Sequence, residues 1–204
     1  MRVPLTSLSL HSEPYAPTGN IGDSGFRKLL GTPSLDLMQT VVREAVQNCC
    51  DADKDGKGPV IHIRLRALNA EQKAFVAEHA FTELPTDPQA RKAFGTFFEA
   101  PAPLVLEICD FNTTGLGGPT RADRLASEED PTDFIDFFRN VGKGRDTALG
   151  GGTYGFGKVS LYIASRCATI LVDTQTDRRT RFERRLMGCH LGAAESRRQQ
   201  DGSL

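Results

Sequence analysis

The stretch GGGTYGFGKVS, residues 150–160, constrains this chain more than any other. Its glycines free the backbone to bend sharply, and the apolar segment KVSLYIAS starts directly behind them. Without a Cβ, glycine lets main-chain N–H groups close on phosphate oxygens. A helix beginning near Lys158 turns its positive end to the same place, and the lysine adds a full charge. A flexible linker, the plainer reading of a glycine run, does not usually lead straight into an apolar helix. Gly152, Gly157 and Lys158 also fit the P-loop spacing G-x-x-x-x-G-K, yet Val159 stands where a P-loop carries the Ser or Thr that ligates magnesium. A P-loop also follows directly on a buried strand, whereas RNVGKGRDTALGG is polar and glycine-rich. The segment ILVDT, ending near Asp173, supplies a Walker-B-like carboxylate and keeps that alternative open.

Composition narrows the class without naming it. The chain has 204 residues, of which 39% are hydrophobic and 25% charged, enough for one substantial core. A formal net charge of -1 does not indicate direct nucleic-acid binding or a membrane-surface domain. No apolar run reaches the roughly 18 residues of a membrane span, and the first residues hold no apolar signal core, so a cytoplasmic protein is expected. The five cysteines form no C-x-x-C pair and sit mostly in apolar segments, which reads as reduced thiols. The scattered histidines have no partner at zinc-ligand spacing.

Periodicity divides the rest. Residues 1–33, rich in Pro, Gly and Ser, read as an irregular arm; residues 34–190 read as one domain, and 191–204 as a polar tail leading into a longer protein. SLDLMQTVVREAVQNCCDA carries Leu35, Met38, Val41, Val42, Ala45, Val46 and Cys49 at helical spacing, with Ser34 or Asp36 as cap. VIHIRLRAL is a strand, residues 70–80 and 88–99 are helices, and PLVLEICD is a short buried strand ending at Asp110. FIDFF is an apolar cluster within a polar region, KVSLYIAS a packed helix, ATILVDT a strand, and TRFERRLMGCHL a second one after a turn at QTDRR.

Three stretches carry chemistry. Glu44, Asn48 and Asp51 fall within roughly 60° of one another on their helix, on a face other than the centre of the apolar stripe. Such a trio is ordinarily the solvated face of an amphipathic helix. It is also what phosphoryl chemistry needs: a carboxylate to take a proton from water, and an amide oxygen one turn away for magnesium. Asp110 ends a strand beside the turn-rich FNTTGLGGPT; that pattern commonly closes a strand as an Asx-turn, and it equally presents a carboxylate acceptor to the exocyclic amine of a purine. The third stretch is the glycine run.

Taken in order, these stretches resemble the GHKL ATPase superfamily of gyrase, heat-shock chaperones, histidine kinases and MutL. EAVQNCCDA matches the N-box form E-x-x-x-N-x-x-D-A at Glu44, Asn48, Asp51 and Ala52. DFNTTGL is similar to the first glycine box with Asp110 retained, and Gly152, Gly155 and Gly157 meet the second, G-x-x-G-x-G. The resemblance covers roughly residues 35–175. It implies an α/β (α+β) two-layer sandwich, the Bergerat ATP-binding fold, in which helices cover a mixed sheet and ATP lies under a lid. It implies ATP and magnesium as ligands, with Asn48 holding the metal, Glu44 activating water, and Asp51 supporting the rim. Asp110, with Asn112 and Gly115 in its turn, would read adenine. Gly152, Tyr154, Gly155, Phe156, Gly157 and Lys158 would bind phosphate, and Lys143 and Arg145, otherwise ordinary surface charge, would contact the lid. Asn112 departs from the family's usual Gly, although Asn tolerates positive φ. The box is one residue longer than the family's usual form, and the family's late-strand Thr has no evident counterpart. Histidine kinases usually lack a carboxylate at the position of Glu44, so hydrolysis is expected, with nucleotide state driving a homodimer or a rearrangement of a larger protein. The alternatives are an ATP-binding regulatory module that does not hydrolyse and, further off, a P-loop NTPase.

Overall fold

A computed structural model describes residues 7–11, 36–120, 131–138, 156–178 and 181–192. Helical periodicity over VVREAVQNCC yields α1, Leu37–Asp51. Asp36 occupies the N-cap position, but its side chain caps nothing; its carbonyl instead accepts from the Thr40 N–H at 2.9 Å and hydroxyl at 3.2 Å. Ser34, the other expected cap, lies outside the described residues. The β-branched run that follows forms β1, Val60–Ala67.

Two helices come next, each started by a side-chain cap. α2, Ala70–His79, opens on a capping box in which Asn69 accepts from the Gln72 N–H at 2.8 Å and Gln72 accepts from the Asn69 N–H at 3.2 Å. α3, Pro88–Glu99, has Pro in its first turn and Asp87 accepting from the Ala90 N–H at 2.7 Å. β2 is Leu104–Phe111, α4 is Asp133–Phe138 over the FIDFF cluster, and α5 is Phe156–Ala164. β3, Thr169–Arg178, and β4, Arg181–His190, close the described chain. The hairpin strands run through the expected QTDRR turn, which leaves residues 179–180 between them.

The described strands do not form one mixed sheet. β1 pairs antiparallel with β2, from Val60 opposite Phe111 to Ala67 opposite Leu104. β3 pairs antiparallel with β4, from Thr169 opposite His190 to Arg178 opposite Arg181. The coarse class is therefore mixed α and β, with two separate two-stranded antiparallel ribbons. Among the described residues each strand has one partner, and a two-stranded ribbon buries a face only where another element covers it. This explains why PLVLEICD, expected to be buried, is half-exposed or exposed along β2, and why Val60, Ile63 and Leu65 of β1 are exposed.

The core lies instead among the helices. Val41, Ala45 and Cys49 of α1, Val159 and Tyr162 of α5, and Phe134, Ile135 and Phe138 of α4 are buried, and α1 packs on α5. Burying Val41 fully contributes about 1.5–3 kcal/mol. The buried face of α1 is rolled from the expected stripe: Met38, Val42 and Val46 are exposed, while Glu44, one turn from Val41 and beside Ala45, is buried. No described helix is long and apolar enough to cross a membrane.

Candidate functional site

Two loops set the site. After α1 the chain turns through Gly56 and Gly58, both at positive φ, and Asp53 accepts from the Gly58 N–H at 3.1 Å. After β2 it turns through Asn112 at φ 64, the left-handed conformation that Asn tolerates, and Gly115 at φ 68. Main-chain bonds join the two loops: Lys54 N–H to the Asn112 carbonyl at 3.1 Å, and Thr114 N–H to the Ala52 carbonyl at 2.9 Å. The Asn112 side chain donates to the Gly58 carbonyl at 3.1 Å. The end of α1 is thereby fastened beside the end of β2.

The β2 loop also reaches the other ribbon. The Leu116 N–H donates to the Thr174 hydroxyl at 2.8 Å, and Gly115 lies against the Gln175 carbonyl, where a Cβ would come within 2.4 Å. Only glycine satisfies both the positive φ and that approach. Thr174 is buried on β3, on the same face as Val172 and Thr176.

These contacts surround one cavity of about 2310 Å³, lined by Glu44, Asn48, Asp51, Asp110, Gly115 and Thr174 among others. Small-molecule sites are typically 300–1,000 Å³, so this space exceeds what one nucleotide fills. It continues between β2 and β3: consecutive residues Leu104–Asp110 and Thr169–Thr174 all line it. Side chains along a strand alternate between its faces, so residues of both faces of β2 and β3 contribute to the lining.

The carboxylates differ in setting. Glu44 is 9% exposed, and its Oε1 accepts from Arg43 Nη2 at 2.7 Å. Asp110 is exposed and accepts from the Thr113 hydroxyl, the local turn contact expected of such a residue. Asp51 is exposed and Asn48 half-buried. Burial first, then the charges of Asp110 and Cys50, push the Cys49 thiol up to about 11, which fits the proximity of α1 to the end of β2. Among the described residues no group of three or more His, Cys, Asp or Glu side chains is arranged to hold a metal ion.

The structure thus brings Glu44, Asn48, Asp51, Asp110 and Gly115 to one cavity, while Asn112 serves the backbone of the two joined loops and does not line it. Phe156, Gly157 and Lys158 form the first turn of α5, so the helix opens inside the glycine box as expected. Gly152, Tyr154, Gly155, Lys143 and Arg145 lie outside the described residues. Thr174 and Arg43 escaped the sequence reading. Alternation along β3 places Thr174 on the face of Ile170 and Val172, which was the available signal for Thr174; an arginine beside an acid on a helix gives none, because adjacent helical residues do not face each other. Compared with protein-family models, curated proteins and solved structures, the chain matches none.

Proposed function

We propose that the chain is the nucleotide-binding part of a magnesium-dependent ATPase of the GHKL type, with a Bergerat-like arrangement of α1, β2 and α5. The observation that carries this reading is the shared cavity: Glu44 and Asn48 on α1 face the same space as Asp110 and Gly115, which come from a strand and loop far along the chain. Residues of the N-box and of the first glycine box line that space, and α5 begins within the second box, where a helix N-terminus would favour a polyphosphate.

In this reading Asp110 accepts from the adenine amine, a role that asks its carboxylate to share or release the Thr113 hydroxyl. The Asn48 amide oxygen suits magnesium, a hard cation that takes one or two protein oxygens together with substrate phosphates and water. When bound, the metal offsets charge on the phosphates. Glu44 takes a proton from the attacking water as the new P–O bond forms; the bond from the terminal phosphorus to the bridging oxygen breaks, and its electron pair leaves on ADP. Cycling between nucleotide states would drive dimerisation or rearrangement of a larger assembly, a step that rests on family analogy.

The test is Glu44→Gln in the full chain, which keeps shape and removes the base. Hydrolysis is expected to fall by about 100-fold or more while ATP binding persists. Hydrolysis equal to the unmodified chain removes Glu44 as the base.

A further inference from the structure

We propose that Arg43 is a positioning residue for Glu44, anchoring its carboxylate from outside the cavity so that the second oxygen stays turned toward the reacting water. This role rests on the hydrolysis reading above. Neighbouring residues on a helix point about 100° apart and do not normally meet. Here they do: Arg43 Nη2 lies 2.7 Å from Glu44 Oε1, so the guanidinium bends round the flank of α1 to reach it.

The two side chains sit in different media. The Arg43 side chain is 53% exposed and the Glu44 side chain 11%. Glu44 lines the cavity and Arg43 does not. The ion pair engages one oxygen of the carboxylate: Oε1 is bound by a half-exposed guanidinium, and Oε2 is not part of that contact. A carboxylate has acceptor sites on both oxygens, so one can be anchored while the other works. A buried charge needs a partner, and an anchored carboxylate keeps one rotamer where a free one explores several. Exposed ion pairs add little stability, so the value of this contact lies in where it leaves Glu44.

General-base catalysis depends on the base lying within hydrogen-bond reach of the proton it removes, and small misplacement is costly. Arg43→Ala leaves the water, the nucleotide contacts and the base chemically present but lets the base wander. The expected signature is a loss in kcat of about tenfold with KM for magnesium-ATP within about twofold. Arg43→Lys keeps a cation within reach of Oε1 and is expected to recover most of the loss.

The experiment is steady-state ATP hydrolysis by the full chain as wild type, Arg43→Ala, Arg43→Lys and Glu44→Gln, with thermal melts to confirm folding of each. A half-exposed arginine is expected to be replaceable without unfolding. Arg43→Ala turning over as fast as wild type or faster overturns the proposal, as does a loss confined to KM or a lysine variant no better than alanine. Full hydrolysis by Glu44→Gln refutes the base assignment itself, whatever Arg43 does. Wild-type protein that binds magnesium-ATP without turning it over refutes the hydrolysis reading and this role together.

Discussion

Gly115→Ala tests the joint that closes the site, because it loads the point where the β2 loop meets β3. Gly115 has φ +68, and a Cβ there would lie 2.4 Å from the Gln175 carbonyl oxygen, 3.0 Å from its carbon and 3.2 Å from the Thr174 hydroxyl. Gly56 has the same φ, +68, with nothing within 4 Å of its would-be Cβ. Left-handed backbone costs alanine about 1–2 kcal/mol, and Gly56→Ala should cost only that. At Gly115 the backbone contact cannot relax by a side-chain rotation, so the loop must withdraw from β3. Withdrawal breaks the Leu116–Thr174 hydrogen bond of 2.8 Å, a further ~0.5–1.5 kcal/mol, and leaves the buried Thr174 hydroxyl without that donor. The expected total is about 1.5–3.5 kcal/mol against about 1–2 for the control, less than the roughly 5–15 kcal/mol stability usual for domains. Urea unfolding of wild type, Gly115→Ala and Gly56→Ala measures both. Equal destabilisation by the two substitutions would refute the packing of this loop on β3.

Asp87→Ala removes the acceptor that caps α3, and unfolding should show a loss of about 0.5–2 kcal/mol; a gain in stability would contradict the capping role. Cys49 is raised from 9.0 to about 11, so its contribution to stability is full below pH 9 and is lost as pH climbs toward about 11. Alkylation of Cys49, followed by peptide mass spectrometry, should still be accelerating at pH 10; a plateau below pH 9 would contradict its burial.

Local order was legible in the chain, and long-range pairing was not. Periodicity alone located α1, α2, α3 and α5 within a few residues, because caps and side-chain spacing are local properties. The turn at QTDRR pointed to β3 and β4 as neighbours, but the pairing of β1 with β2 was not readable: two helices separate them, and nothing in IHIRLRAL states which strand its edge meets. The same limit hid the gap between β2 and β3 and made PLVLEICD look like a buried strand, since hydrophobicity reports suitability for burial and not the presence of a cover. On α1 the apolar count misjudged the roll of the helix: packing on α5 buries Glu44 with Val41 and Ala45 and leaves Val42 and Val46 outside. The positive φ at Asn112 was legible, since few side chains tolerate it. Thr174 was not, because its importance comes from Leu116, 58 residues away.

The central claim is that α1 and the end of β2 serve one nucleotide, and calorimetric titration of ATP into the full chain tests it most directly. With magnesium present, wild type should bind one ATP saturably, and Asn48→Ala and Asp110→Asn, altered on different elements, should each weaken binding by about tenfold or more. No binding by wild type, or affinity unchanged in both variants, would contradict it.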